Sequence, residues 1–197
     1  MNKIIEKANS LIEKNEPFEY WILLKESSEQ IMLIEENIDG EIEDFVAVQG
    51  IFSLGKNSVV KNGTRIEGNV FIGKNCTIGP NAFLRNGTII ADNCHIGTSE
   101  VKNSIILSGS KVPHFSYVGD SVIGRNCNLG AGTKIANLRH DNANVKVFLS
   151  GKTIDSGTRK LGALLFDNVK TGVNSAINCG CILPKGSLVM PCEFRQK

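Results

Sequence analysis

What this 197-residue sequence lacks narrows the field first. No apolar run approaches the ~20 residues a helix needs to cross a bilayer, so no membrane-spanning helix is expected. Neither sign of charge dominates: 22 Lys and Arg against 20 Asp and Glu leave a formal net charge of +2. That balance removes the electrostatic reason to invoke nucleic acid or an anionic membrane as a partner. The N-terminus, MNKIIEKANSLIEK, has acids and lysines where a secretory signal needs unbroken apolar residues. Cytoplasm is the default compartment. Histidine is scarce: His95, His114 and His140 lie far apart in the chain with no close pair. A zinc-hydratase centre of three converging imidazoles is therefore not expected, and no metal is assigned.

Paired cysteine motifs are missing as well. Cys179-Gly-Cys181 lacks the two-residue gap of redox and zinc sites, and Cys192 stands alone. Cys76, Cys94 and Cys127 fall on the small-residue slot of the repeat described below. Reduced core thiols are expected rather than a disulfide framework.

What is present divides the chain in two. Residues 1–45 read as a helical arm. Ile4, Ile5, Ala8, Leu11 and Ile12 share one helical face. Asn15-Glu16-Pro17 ends that helix, and Pro17 can open a second carrying Tyr20, Trp21, Leu23, Leu24, Ile31 and Leu33. Asp39-Gly40 closes the segment, and the only tryptophan is expected to pack against the main body.

Residues 46–197 carry a repeat. Val48, Leu54, Val60, Ile66, Ile72, Ile78, Leu84, Ile90 and Ile96 are six residues apart, and glycine follows the aliphatic at 55, 73, 79 and 97. Period six fits neither an α-helix nor simple strand alternation. It fits a chain wound around a triangular prism, with three short strands and eighteen residues per coil. Aliphatics point inward, and glycine or asparagine relieves strain at the corners. The fold class expected is all-β, a left-handed parallel β-helix. Cys76 and Cys94, eighteen apart, should stack one coil apart, roughly 4.8 Å.

The register slips after Ile96, recovers at Ile106, Val112 and Val118, drops one residue to Ile123, and continues to Leu129 and Ile135. Residues 138–167 leave the repeat as a loop and a hairpin turning at Ser150-Gly151. The repeat resumes at Thr171, Ile177, Leu183 and Val189, with apolar stacking surface expected at the last coil.

His114 stands where the monotony breaks, on a slot that faces outward. An imidazole there can take a proton from an amine near neutral pH. His95 also faces outward, and with no unusual neighbours in sequence it reads as structural.

The run His114-Phe-Ser-Tyr-Val-Gly-Asp, followed by Ile-Gly-Arg-Asn-Cys-Asn-Leu-Gly-Ala-Gly-Thr and Ala-Asn-Leu-Arg, makes a resemblance specific. It resembles the acetyltransferase half of the bifunctional glucosamine-1-phosphate N-acetyltransferase/N-acetylglucosamine-1-phosphate uridylyltransferases. It is most similar to their archaeal-type sugar-1-phosphate nucleotidylyltransferase/acetyltransferase branch, which Glu100-Val-Lys-Asn-Ser and Asp155-Ser-Gly-Thr-Arg-Lys-Leu-Gly also resemble. The likeness runs from about Val48 to Met190.

That resemblance implies an acetyl-CoA-dependent N-acetyltransferase for an aminosugar-1-phosphate, most simply glucosamine-1-phosphate or galactosamine-1-phosphate, in the making of UDP-N-acetylglucosamine precursors. It implies His114 as general base and Tyr117, Asn128 and Asn137 as sugar- and acetyl-positioning groups. Arg85, Lys102 and Lys146 become substrate ligands, and Gly130-Ala131-Gly132 contacts CoA through its backbone. The types suit the chemistry: an Arg and a Lys match a phosphate dianion, and glycines let a ligand approach the main chain. A homotrimer is implied as well. The sequence departs from the family at Ala143, where a lysine is usual.

The relatives' nucleotidyltransferase domain opens on a G-x-G-T-R loop. Gly63-Thr-Arg65 and Gly157-Thr-Arg159 echo its letters, but the first lies in the hexad register and the second in the hairpin, so no uridylyl step is expected of this chain. Two competitors remain. One is a non-catalytic scaffold or regulator of a separate nucleotidyltransferase, working through the arm. The other is an acyltransferase for another amine, such as a nucleotide-linked aminosugar.

Overall fold

The computed structural model describes residues 1–196. Parallel strands wind into a three-faced solenoid, as the period of six demands. One face is an 8-stranded sheet. Its inward column runs Leu54, Ile72, Ile90, Ile106, Ile123, Leu165 and Leu183, each the register partner of the next. The step is 18 residues twice, then 16 and 17, then 42 across the excursion, then 18. The slips expected after Ile96 are therefore shortened coils, and the aliphatic stays inside through each of them. These seven side chains are buried with the rest of the axial core. Each contributes ~1.5–3 kcal/mol by leaving water.

The small-residue slot has its own logic. The Ser58 hydroxyl donates to the Gly73 carbonyl at 2.7 Å and accepts from the Cys76 amide at 2.8 Å, tying one coil to the next. Ser110 repeats the device, at 2.6 Å to the Gly124 carbonyl and 2.9 Å from the Cys127 amide. The thiols of Cys76 and Cys94 donate to the carbonyls of Ala91 and Leu107 at 3.1 and 3.3 Å. Burial pushes the Cys127 thiol up to about 12, so it stays protonated and unreactive.

The corners use asparagine and glycine in different ways. The left-handed residues at one of them are Asn57, Asn75 and Asn93, with φ of 62, 55 and 61°. The glycines two places earlier answer a different need. A Cβ on Gly55 would sit 2.6 Å from the Gly73 backbone, so close coil stacking excludes it.

The arm is docked. Helices α1 (Asn2–Glu13) and α2 (Tyr20–Ile31) share a second hydrophobic cluster with Ile89, Ile105, Val122 and Leu164, the outward side chains of the 8-stranded face. The Tyr20 hydroxyl donates to the Gly162 carbonyl at 3.0 Å. Arg125 bridges Glu13 of α1 at 2.7 Å and Asp167 at 2.6 Å. Leu33, expected on the second helix, lies past its end and is exposed.

The solenoid also begins earlier than the 45/46 division. Asn37–Ile38 pairs with Ser53–Leu54, and Glu41–Ile42 pairs with Val59–Val60. Ile42, six residues before Val48, was already in register. Val48 itself is 45% exposed, because it lies on the first coil with no coil beneath it. The last coil is likewise open, with Leu188, Met190 and Phe194 exposed.

The hairpin forms where expected, Lys146–Leu149 against Lys152–Asp155, turning through Ser150 and Gly151 at φ of 48 and 80°. The chain returns to the solenoid sooner than 167, since Leu164–Leu165 already pairs with Val122–Ile123. Leu165 is six residues before Thr171, a hit hidden by the apolar run Leu161-Gly-Ala-Leu-Leu-Phe166.

Candidate active site

The two longest strands, His95–Lys102 and Lys111–Gly119, lie side by side and wrap a corner that other coils cross with a break. The register between them shifts between Thr98 and Glu100. That shift follows from the shortened coils, and it bends the outward row. His114 sits opposite Thr98 at this corner, with its side chain exposed. Phe115 beside it takes φ of +49° and is 68% exposed.

One coil further on, the Gly132 amide donates to the His114 carbonyl at 2.9 Å. Gly130-Ala131-Gly132 therefore stacks directly against the histidine's backbone. The Gly130 amide is held by Thr171, at 3.0 Å to its carbonyl and 2.9 Å to its hydroxyl. His95 pairs in register with Lys111 on these two strands. Burial, then the adjacent His114, Lys61 and Lys111, hold its imidazole below its usual range.

Around the edge of the next face a polar cluster forms. Arg85 pairs with Glu100 at 2.7 Å and lies 5.6 Å from the Phe83 ring centre. Lys102 Nζ sits 3.2 Å from each carboxylate oxygen of Asp120. The Asn137 amide donates to Asp120 at 2.6 Å and to the Tyr117 hydroxyl at 3.0 Å. Asn103 donates to the other Asp120 oxygen at 2.8 Å. Glu100 and Tyr117 are register partners. Burial raises the Tyr117 phenol, with Asp120 and Glu100 adding to the rise and Asn137 and Arg85 opposing it. Arg85 and Lys102 open onto a cavity of about 280 Å³ that Glu67, Asn86 and Asn103 also line.

Glycine is required at 119 for a specific reason. A Cβ there would meet the Tyr117 hydroxyl at 2.5 Å and the Asn137 amide at 2.8 Å.

The structure thus joins Arg85, Lys102, Tyr117 and Asn137, and stacks the His114 backbone against Gly130-Ala131-Gly132. It does not bring all of the expected residues together in one chain. Asn128 lies exposed on the preceding face, bridged between Lys111 and Lys170. Lys146 stands on the hairpin and lines a different cavity of about 480 Å³, with Leu138, His140 and Phe194. Ala143 lies exposed on the loop before it, where its amide donates to Asp141 at 3.1 Å. The Arg139 guanidinium pairs with that same carboxylate and holds it well below the usual carboxylate range.

Sequence reasoning missed Glu100 and Asp120 as members of the cluster. Asp120 lies one residue past Gly119, the register partner of Lys102. Among the described residues no group of three or more His, Cys, Asp and Glu could hold a metal ion, and no helix is long and apolar enough to cross a membrane.

A family model described as the GMPPB C-terminal domain matches residues 66–193. The bifunctional sugar-1-phosphate nucleotidylyltransferase/acetyltransferase of Sulfurisphaera tokodaii is 45% identical over 139 residues, covering 70% of this chain and 35% of that protein. The bifunctional protein GlmU of Methanococcus maripaludis is 39% identical over 170 residues, covering 86% of this chain and 41% of its own length. The chain matches less than half the length of these curated relatives. Among solved structures, the acetyltransferase domain of PglB from Neisseria gonorrhoeae aligns over 89% of this chain and 65% of that one, at 13% identity and a TM-score of 0.40.

Proposed function

The chain belongs to the family of the GMPPB C-terminal domain, and from that premise we propose that it is an acetyl-CoA-dependent N-acetyltransferase for an aminosugar-1-phosphate, with glucosamine-1-phosphate the first candidate. One observation carries the reading. Arg85, Lys102, Tyr117 and Asn137 converge on one wall through Glu100 and Asp120, three residues along the chain from an exposed histidine.

In the proposed reaction Arg85 and Lys102 receive the phosphate, exchanging their carboxylates for a dianion through charge-assisted hydrogen bonds. The substrate amine attacks the thioester carbonyl of acetyl-CoA. His114 takes the proton the nitrogen sheds, the C–S bond breaks, and the proton passes to the departing CoA thiolate. The Asn137 amide and the Tyr117 hydroxyl supply polar contacts where the acetyl oxygen gathers charge. Gly130-Ala131-Gly132, one coil from the histidine, suits the thioester end of CoA because it presents backbone without bulk. A trimer would let a neighbouring copy of this chain bring Asn128 and Lys146 toward the wall they do not reach alone.

A second reading, a non-catalytic partner of a separate nucleotidyltransferase, has one feature in its favour. Both candidate phosphate ligands are already neutralised, Arg85 by Glu100 and Lys102 by Asp120. A CoA-release assay with acetyl-CoA and glucosamine-1-phosphate, galactosamine-1-phosphate and unphosphorylated glucosamine decides between them. Turnover that needs the phosphate, with KM raised in Arg85→Ala and Lys102→Ala, supports the enzyme. Absence of turnover, together with no acetyl-CoA binding by calorimetry, supports the scaffold.

A further inference from the structure

The N-terminal arm reaches the site through an unbroken line of contacts. The Ser28 hydroxyl of α2 lies 2.8 Å from the Asn103 side-chain oxygen and 2.9 Å from the Leu24 carbonyl, and shares its one proton between them. The amide nitrogen of the same Asn103 donates to Asp120 at 2.8 Å. Asp120 then holds Lys102 with both oxygens and Asn137 with one. Its side chain is only 5% exposed and that of Lys102 is 22% exposed, so water does little to screen this pair. Asn103 and Asp120 both take left-handed backbone, at φ of 43 and 50°. The backbone also closes on Asp120 from two sides: its amide donates to the Lys102 carbonyl at 2.9 Å, and the Gly162 amide donates to its carbonyl at 2.8 Å. Gly162 is the residue whose carbonyl receives the Tyr20 hydroxyl of α2. Helix α2 therefore grips the Asp120 corner twice, once through a side chain and once through the backbone.

A carboxylate in that position gives fixed direction to two groups that lack it. A lysine ammonium is a mobile point charge on a four-carbon stem, and an asparagine amide can rotate. Asp120 fixes both, and α2 fixes Asp120. We propose that Asp120 is the positioning residue of the sugar-phosphate site, and that α2, through Ser28 and Asn103, is part of that site rather than a separate interaction arm. The proposal rests on the function above for its kinetic readout, but its geometric core does not.

The test compares Asp120→Asn and Ser28→Ala with wild type, alone and in a Lys102→Met background, in folded protein checked by Tm. An asparagine at 120 keeps the shape but turns one acceptor into a donor facing Lys102 or Asn137. KM for glucosamine-1-phosphate should rise on the order of tenfold in Asp120→Asn and about twofold in Ser28→Ala, within the range of coupled contacts. Both effects should shrink toward one in the Lys102→Met background, which a purely structural role would not produce. Glu29→Ala, exposed on the same helix and outside the pocket that Ser28, Asn103 and Asp120 line, should change nothing.

A second readout needs no turnover. Lys102 should be modified by an acetylating reagent severalfold faster in Asp120→Asn than in wild type, read by mass spectrometry, because it loses its partner and its fixed place. Unchanged Lys102 reactivity in a folded Asp120→Asn protein overturns the proposal, even if the protein has no acetyltransferase activity. So does a KM effect that persists undiminished in Lys102→Met.

Discussion

Coils 48–96 and coils 97–137 are built from the same repeat and do different things. In the first region the step between coils is 18 residues and asparagines stack at one corner; the serine tie between coils occurs in both regions, at Ser58 and at Ser110. In the second the step falls to 16 and then 17. The strands lengthen to 8 and 9 residues, their register shifts, and Phe115 and Asp120 take left-handed backbone. The aliphatic core continues through both. What changes is the outer surface, where Lys102, Tyr117, Asp120 and Asn137 form one connected polar cluster. A repeat that holds its interior constant can afford local rule-breaking outside, and such breaks are where a site is expected.

The sharpest way to break this comparison is to exchange the kinds of change each region tolerates. Ile78→Ala, in a regular coil, should cost ~2–5 kcal/mol of stability, seen as a lower denaturation midpoint, and leave kcat nearly unchanged once the protein is folded. Gly119→Ala, in the irregular region, should do the reverse. The added methyl displaces Tyr117 and Asn137, and acetyl transfer should fall about 100-fold for a displacement near 1 Å with a smaller loss of Tm. Similar profiles for the two variants would mean that the irregular region is only structure.

Ser58→Ala tests the tie between coils. The Cys76 amide loses its acceptor in a buried place, so stability should drop by about 1–3 kcal/mol in chemical denaturation. The smallest effect expected is chemical. Iodoacetamide at pH 8 should label the exposed Cys192 and spare Cys127, whose thiol is pushed up to about 12. Peptide mapping before and after unfolding reads this directly, and early labelling of Cys127 would show that the regular interior opens.

Much of the fold was legible because inward positions in a solenoid repeat by number alone. Val60, Ile66 and Ile78 need no partner beyond the next coil, so a single period specifies their burial. The entry at Asn37 was harder to see, since Asp39-Gly40 reads as a closing turn when it is in fact a corner of the first coil. The return at Leu164 was masked because the apolar run offers several registers, and only pairing with Val122 selects one.

For the site, the motif around His114 falls at the irregular corner, and Arg85, Lys102, Tyr117 and Asn137 join one polar cluster. Asp120 was overlooked because a coil of variable length hides which residues stack. Its neighbour Gly119, not Asp120 itself, is the register partner of Lys102, 17 residues on. Glu100 was hidden by the register shift beside it. The packing of Trp21 on α2 against the main body was expected and is found, but the Ser28 contact could not be read, since Ser28 is an ordinary helical serine until Asn103 lies opposite.

The most direct test of the whole account is CoA release from acetyl-CoA and glucosamine-1-phosphate by wild type and by His114→Ala. The exposed side chain of His114 predicts an unchanged Tm in the variant, while loss of a general base predicts a rate lower by about 10²–10⁴. Equal CoA release by the two proteins would contradict it.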